Sequence, residues 1–213
     1  MALSTDALLG CMPSYFYRPA EGHRLPHDPF NAIVGPRPIG WIGTLSPAGV
    51  RNLAPYSFFN AFSYAPPLIG FSSTDRKHTA RNAELSGEFT WNLVTRALAE
   101  QMNATSTTAD TDEFVAAGLE AAESIDISAP RVAASPVSFE CRVSDVIALR
   151  GADGHTSTGV LTIGEVVAVH IDEAMIPGGV YQTALAHPVL RAGGPSAYFE
   201  IIAEGRFDLT RPR

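Results

Sequence analysis

The chain has 213 residues, of which 46% are hydrophobic and 17% are charged, and this length suits one domain with a substantial core. Fifteen basic residues stand against 22 acidic ones, for a net charge of −7. The composition excludes a disordered chain, and the absence of a basic face excludes a nucleic-acid-binding protein. The low charged fraction predicts that part of the surface is buried against a second subunit.

The sequence predicts a cytoplasmic protein that does not enter a membrane. Residues 1–11 contain an apolar stretch but no Lys or Arg before it, which a secretory signal would need. The long uncharged run over residues 52–74 contains Pro55, Pro66 and Pro67, which disqualify it as a membrane helix. Cys11 and Cys141 lie far apart without a Cys-x-x-Cys spacing, a pattern typical of reduced thiols in the cytoplasm.

The pattern of apolar and turn residues predicts three regions along the chain. Residues 1–30 are rich in Pro and His and are expected to form an extended arm, residues 31–205 a single domain, and residues 206–213 a tail. Turn residues at 46–49 and 151–154 predict two β-hairpins. The predicted strands cover residues 32–45, 50–63, 67–73, 88–94, 137–149, 158–171 and 198–203.

Three short helices are predicted between these strands, over residues 79–85, 97–102 and 112–119. Gly87 is expected to end the first helix, and Thr111 or Asp112 to cap the third at its N-terminus. Strands and helices do not alternate regularly, which argues against a doubly wound sheet. The sequence therefore predicts an α+β fold, mainly β, in which helices are inserted into a closed or split antiparallel β-barrel.

Several common functional motifs are missing from the sequence. There is no Gly-x-Gly-x-x-Gly loop, no phosphate-binding P-loop and no nucleophile elbow. His23 and His27 have a spacing that would suit a metal ion on a helix, but Pro26 lies between them. We therefore predict no metal site.

The segment 72–82 carries a dense set of phosphate-binding groups. It contains four hydroxyl side chains and three cations at the end of an apolar strand and the start of a predicted helix. A helix N-terminus, hydroxyl donors and a flexible ammonium group together suit a phosphate monoester. Lys77, the one lysine of the chain, lies inside this segment. The alternative is an ordinary polar connection between a strand and a helix.

A second candidate segment, residues 51–60, mixes polar and aromatic side chains within one predicted strand. Asn52, Ser57 and Asn60 stand among Tyr56 and two phenylalanines. Aromatic walls with polar groups at the edges suit a flat heteroaromatic ring. Simple packing of an aromatic strand is the alternative.

Together, the motifs of the chain resemble the flavin reductase-like, FMN-binding split-barrel family. The similarity covers residues 32–198 in order, and the run Asn-Leu-Ala-Pro-Tyr-Ser followed by Lys-x-Thr-x-x-Asn is its most specific part. One departure is His78, where the family usually has Asp. The matching runs lie at residues 37–44, 52–60, 66–67, 77–82, 87–89, 92–94, 113–119, 138–141, 164–167 and 191–194.

The resemblance implies a homodimer of split barrels with FMN at the subunit interface. By position, the residues that would line the ring and the ribityl chain are Thr44, Asn52, Ala54, Tyr56 and Ser57. Those that would hold the phosphate are Ser72, Ser73, Lys77 and Thr79, with Arg76 and Asn82 in support. In related proteins, the segment at the position of the one that contains His187 approaches the flavin ring. The resemblance therefore makes His187 a candidate catalytic residue, and the alternative is that this histidine has only a structural role.

The activity that the resemblance implies is that of a flavin reductase, which passes a hydride from NADH or NADPH to the flavin. An FMN-binding electron-transfer module without its own turnover of pyridine nucleotide is the first alternative, because the sequence has no separate nicotinamide motif. An oxidase of a phosphorylated small molecule is the second. A partner monooxygenase that receives reduced flavin is compatible with this hypothesis, and FAD in place of FMN stays open.

Overall fold

The structure is a computed structural model that describes residues 14–107 and 111–212. Cys11 of the two predicted thiols lies outside these residues, as does residue 213 of the predicted tail. Cys141 is buried and has no disulfide partner among the described residues. In the same part of the chain, no helix has the length and apolar character that crossing a membrane requires.

Strands dominate the described residues, and most belong to one antiparallel sheet. In chain order the strands are β1 (Arg37–Pro38), β2 (Gly40–Leu45), β3 (Arg51–Tyr56), β4 (Phe59–Tyr64), β5 (Pro67–Ser73), β6 (Glu88–Asn92), β7 (Ala121–Ala122), β8 (Arg131–Val132), β9 (Val137–Arg150), β10 (Thr156–Ile171), β11 (Val189–Arg191) and β12 (Tyr198–Glu200).

Helices are short and lie between the strands. The α-helices are α1 (Phe30–Ile33), α2 (His78–Ser86), α3 (Ala99–Ala104) and α4 (Glu113–Ala116). Short 3-10 turns cover Pro19–Glu21, Arg96–Leu98, Glu173–Met175, Pro177–Gly179, Thr183–Ala186 and Ala203–Gly205.

The main sheet has the strand order β3-β2-β6-β9-β10-β5-β4, and its two edge strands are consecutive in the chain. Every one of these seven strands contributes a side chain to a single interior cluster. The rings of Tyr56 and Phe71 lie 4.8 Å apart, and those of Phe59 and Trp91 are stacked at 5.6 Å. The sheet therefore curls around a shared core and stays open between β3 and β4, which confirms the predicted α+β, mainly β, split-barrel fold.

A second apolar cluster covers the outer face of β2 and β3. Trp41 and Leu53 are fully buried there against Met102 and Phe114, which lie on α3 and α4. The indole Nε1 of Trp41 also donates to Thr105 Oγ1 at 3.0 Å. The helices inserted after β6 are thus fixed onto the outside of the barrel next to β3.

The predicted strand over residues 50–63 is interrupted, which corrects the sequence analysis. Up to Tyr56 the chain forms β3 and pairs with β2. From Phe59 it forms β4 at the opposite edge of the sheet and pairs with β5. Two hydrogen bonds hold the bend: Arg37 Nε donates to the Ser57 carbonyl at 2.9 Å, and Ser72 N donates to the Phe58 carbonyl at 2.8 Å. Apolar alternation continues through the bend, so periodicity alone does not show it.

The other predicted elements are present with shifted bounds. The predicted strand over residues 32–45 is divided into the end of α1, β1 and β2, and the predicted helix 112–119 is only four residues long. Gly87 ends α2 in the left-handed conformation at φ 73°, as expected. Asp112, rather than Thr111, caps α4: its carboxylate accepts from Phe114 N at 3.0 Å.

Both ends of the chain contain little regular structure among the described residues. Residues 14–29 hold one 3-10 turn, Pro19–Glu21, and residues 206–212 contain no helix or strand. The boundaries of the arm and of the tail, at residues 30 and 206, stay predictions.

Candidate functional site

A cavity of about 440 Å³ lies beside β3 and the N-terminus of α2. Its volume is within the usual range for small-molecule sites. Six of the eleven predicted cofactor-binding residues line it: Asn52, Ala54, Tyr56, Arg76, Lys77 and Thr79. The remaining lining residues are His78, Arg81, Thr107 and Glu113.

The wall of this cavity that α2 forms is positively charged. Lys77 directly precedes the helix, Arg76 comes before Lys77, and Arg81 lies in the first turn of the helix. Arg76 pairs with Glu84 on the helix at 2.5 Å, whereas Lys77 and Arg81 form no ion pair with a described residue. The first N–H groups of an α-helix have no partner within the helix. Two uncommitted cations and a helix N-terminus therefore suit an anion such as a phosphate group.

Buried polar side chains connect β3 to α2 behind the cavity wall. Asn52 Nδ2 donates to Thr79 Oγ1 at 2.8 Å, and both residues are buried. A parallel contact joins Asn82 Nδ2 to Thr44 Oγ1 at 3.3 Å. Thr44 and Asn82 do not line the cavity. Asn82 lies on α2 and Thr44 on β2, which pairs with β3, so this contact lies behind the lining residues.

The phenol of Tyr56 lies beside the hydroxyls of Thr79 and Ser73. Burial raises the pKa of Tyr56 and outweighs the opposing effect of these hydroxyls. The phenol therefore keeps its proton at neutral pH and is available as a hydrogen-bond donor.

The two predicted serines of β5 point to opposite faces of the strand, and neither lines the cavity. Ser72 is half-buried, whereas Ser73 is buried with its Oγ in no hydrogen bond of normal geometry. Buried hydroxyls are nearly always paired in native proteins. The Tyr56 phenol is the polar group beside this hydroxyl.

Ser57 lies in a smaller cavity of about 160 Å³ on the other side of β3, and Tyr56 borders both cavities. Arg191 and Tyr198 line this second cavity. The Arg191 guanidinium stacks 5.0 Å from the Tyr198 ring and donates to the carbonyl of Ala197 at 2.7 Å. Arg191 thus holds the loop between β11 and β12 in place beside β3.

His187, the candidate catalytic residue, does not line the cavity beside β3 and α2, which we call the Lys77 cavity. It lines a separate cavity of about 720 Å³, and its Nδ1 lies 2.6 Å from Glu200 Oε1. Its backbone is in the left-handed region at φ 46°, which is uncommon for a residue other than glycine. The geometry neither joins His187 to the other predicted residues nor gives it a contact with them.

Four cavity residues were not predicted as site residues: His78, Arg81, Thr107 and Glu113. His78 and Arg81 lie within residues 72–82, the predicted phosphate-binding segment. Their position at the start of the predicted helix could have identified them from the sequence. Glu113 is about 60 positions away from Leu53, whose backbone N–H its Oε2 accepts at 3.1 Å. No local pattern connects residues so far apart, so sequence reasoning had no means of placing it.

The described residues contain no group of three or more His, Cys, Asp or Glu side chains that would hold a metal ion. His23 of the spacing considered above instead accepts a hydrogen bond from Leu25 N at its Nδ1, at 3.0 Å.

Comparisons with known proteins agree with this architecture. Nitrilotriacetate monooxygenase component B from Bacillus cereus is 31% identical, with a TM-score of 0.77 over 84% of this chain and 91% of that one. The 2-nitrobenzoate 2-nitroreductase of Pseudomonas fluorescens is 30% identical, with a TM-score of 0.75 over 86% and 88%. A putative flavin reductase with a split barrel domain from Shewanella frigidimarina is 26% identical, with a TM-score of 0.74 over 85% and 90%.

A family model, the flavin reductase like domain, matches residues 35–187. This range contains all seven strands of the split barrel and every residue that lines the Lys77 cavity. The chain therefore belongs to the flavin reductase like domain family.

Proposed function

We propose that this protein is an FMN-binding flavin reductase that accepts a hydride from NADH or NADPH. The observation that carries the proposal is the cavity beside β3, which combines uncommitted cations at the start of a helix with buried amide and hydroxyl groups. FMN carries a phosphate, a hydroxylated chain and a flat ring, and these need the same three kinds of partner.

The residues present fit such a ligand. Lys77, Arg81 and the N-terminus of α2 would hold the phosphate, with Arg76 in support. Tyr56 borders both cavities, so a ring that lies along the end of β3 would contact it together with Ser57. The membership of the flavin reductase like family supports the same ligand.

When bound, the flavin supplies the hydride-transfer chemistry itself. The protein's own residues bind and orient it: cations neutralise the phosphate charge, and the buried Asn52–Thr79 pair fixes the distance between β3 and α2. Tyr56 keeps its proton and donates a hydrogen bond. Hydride transfer to a flavin asks for no acid or base from the protein.

The relatives support a redox role and a partner. The Bacillus cereus protein is named as a component of a monooxygenase, and the Pseudomonas fluorescens protein as a nitroreductase. We propose by analogy that this chain delivers reducing equivalents, with a monooxygenase as a fitting recipient, and that it acts as a homodimer. Exposed apolar side chains on the sheet, such as Phe62 and Val169, support a second subunit.

The test is an equilibrium titration of the purified protein with FMN, followed by flavin fluorescence. Saturation near one FMN per chain is expected. NADH or NADPH is then added in the absence of oxygen, with FMN in large excess over the protein. Loss of the absorbance of oxidised flavin beyond one equivalent per chain shows turnover and supports the reductase. FMN that binds but is reduced only by dithionite would identify an electron-transfer module, and absence of binding would refute the flavin proposal altogether.

A further inference from the structure

Glu113 is a buried carboxyl group without a counter-ion. Its exposed fraction is 4%, and no Lys, Arg or His among the described residues lies within ion-pair distance of it. Burial raises the pKa of Glu113, although the N–H of Leu53 and the nearby His78 oppose the shift. A buried carboxyl group that lacks a charged partner destabilises a fold, so a function is the simplest reason for its presence.

The carboxyl group of Glu113 is only one of several contacts that hold α4 on β3. The neighbouring Asp112 already ties the helix to β3, because its Oδ2 lies 2.6 Å from a guanidinium nitrogen of Arg51. Asp112 also caps the helix, and Phe114 anchors it in the apolar cluster below. Helix docking therefore does not rest on Glu113 alone, and its contact with Leu53 N uses only part of the acceptor capacity of the carboxyl group.

Glu113 faces the same cavity as Lys77 and Arg81. An ionised carboxylate only accepts hydrogen bonds and has about four lone-pair positions. The N–H groups of Leu53 and of Glu113 itself occupy two of them and leave the others for a ligand. A phosphate would be repelled by Glu113, so the part of the ligand that lies against it must be a hydrogen-bond donor.

Building on the proposed function, we infer that Glu113 is a binding residue that accepts hydrogen bonds from the hydroxylated chain of the flavin. The cations at the start of α2 hold the phosphate of the same ligand. The cavity would thus be specific for a phosphorylated ligand that carries hydroxyl groups next to its phosphate. The phosphate would contact the cations, and the hydroxyl groups would donate to the carboxylate.

The experiment compares three flavins on the wild type and on Glu113→Gln: lumiflavin, which has the ring without the chain, riboflavin, which adds the hydroxyls, and FMN. Hydrogen bonds to a charged acceptor are stronger than neutral ones, so riboflavin affinity should fall roughly five- to tenfold. Lumiflavin affinity should not change. FMN should lose less than riboflavin, because the substitution also removes the repulsion between the carboxylate and the phosphate.

Glu120→Gln is the matched control, since it makes the same chemical change at an exposed glutamate after α4, outside the cavity lining. It should leave the ratio of riboflavin to lumiflavin affinity unchanged. Glu113→Asp, which keeps the charge but withdraws it by one methylene, gives a second variant and should also reduce riboflavin affinity selectively. Equal losses for lumiflavin and riboflavin, or no loss for either, would overturn the inference. A wild type that binds no flavin would refute the proposed function as well.

Discussion

The amide of Asn52 and the hydroxyl of Thr79 form a 2.8 Å hydrogen bond that joins β3 to α2, and both side chains are buried. The two residues belong to different motifs of the sequence, 27 positions apart. Their contact therefore links the wall that suits a flavin ring to the wall that suits a phosphate. The bond is thus a direct link between two walls of the same cavity.

We expect the Asn52–Thr79 bond to couple stability and flavin binding. Asn52→Ala leaves a buried hydroxyl without its donor and should lower the free energy of unfolding by about 1–3 kcal/mol. Thr79→Val should have a similar effect, and the double variant should lose clearly less than the sum of the two, because one bond is removed only once. Urea denaturation of the four proteins measures this coupling. Strictly additive losses would show that the contact contributes nothing of its own.

Lys77→Ala should weaken FMN binding about tenfold or more, because a charge-assisted contact with the phosphate is removed. Riboflavin, which has no phosphate, should bind almost as well as to the wild type. Fluorescence titration with both ligands measures the difference. Arg150→Ala, which removes an exposed cation at the far end of β9, serves as the control. If both flavins are weakened equally, Lys77 does not contact the phosphate.

A fully buried carboxylate, Glu140, predicts an acid-sensitive stability. It accepts from Ile125 N at 2.8 Å, from Asp126 N at 2.7 Å and from His170 Nε2 at 2.5 Å. Burial alone would raise the pKa of Glu140, but these hydrogen bonds together hold it below its ordinary value. The carboxylate thus stabilises the fold above its unfolded pKa of about 4.3, and this contribution disappears as the pH falls through the lower pKa of the folded state.

The variant Glu140→Gln tests this dependence. At pH 7 it should lower the free energy of unfolding by roughly 1.5–3 kcal/mol, the range for hydrogen bonds to a charged group. Below about pH 4.3 the difference from the wild type should shrink. Urea denaturation at several pH values measures both, with the exposed Glu204→Gln as control. A difference that stays constant down to acidic pH would contradict the assignment.

Gly43→Ala should be strongly destabilising although it adds only one methyl group. A Cβ at Gly43 would lie 2.5 Å from the carbonyl oxygen of Pro130 and would also collide with Thr90 Oγ1. Backbone must move to accept it, so a loss of about 1–3 kcal/mol or more is expected. Gly205→Ala, where the added methyl meets nothing within 4 Å, should change the midpoint of thermal unfolding little. Equal midpoints for the two variants would argue against the close approach at β2.

Local chemistry explains what the sequence predicted well. Gly87 ends α2 and Asp112 caps α4 because each acts on residues within one helical turn. That Arg76, Lys77 and Thr79 lie together at the start of α2 was also predictable, because they are nearly consecutive, whereas their binding of a phosphate stays a prediction. These features depend on interactions that the sequence displays side by side.

Features that depend on tertiary contacts could not be predicted from the sequence. The bend at Ser57 is stabilised by Arg37, which lies twenty positions earlier, and the apolar alternation gives no sign of it. Glu113 enters the cavity only because Arg51 and Asp112 dock α4 on β3. Ser73 is buried and does not line the cavity, although Lys77 four positions later does, and no local pattern distinguishes the two.

The edge position of β3 has a consequence for solubility. An edge strand offers unpaired backbone groups to which a strand of another molecule can add, a common route to aggregation. Here α4 lies across that edge: Glu113 occupies the N–H of Leu53, and Asp112 holds the side chain of Arg51. The same short helix that completes the cavity therefore shields the open side of the barrel from intermolecular strand pairing.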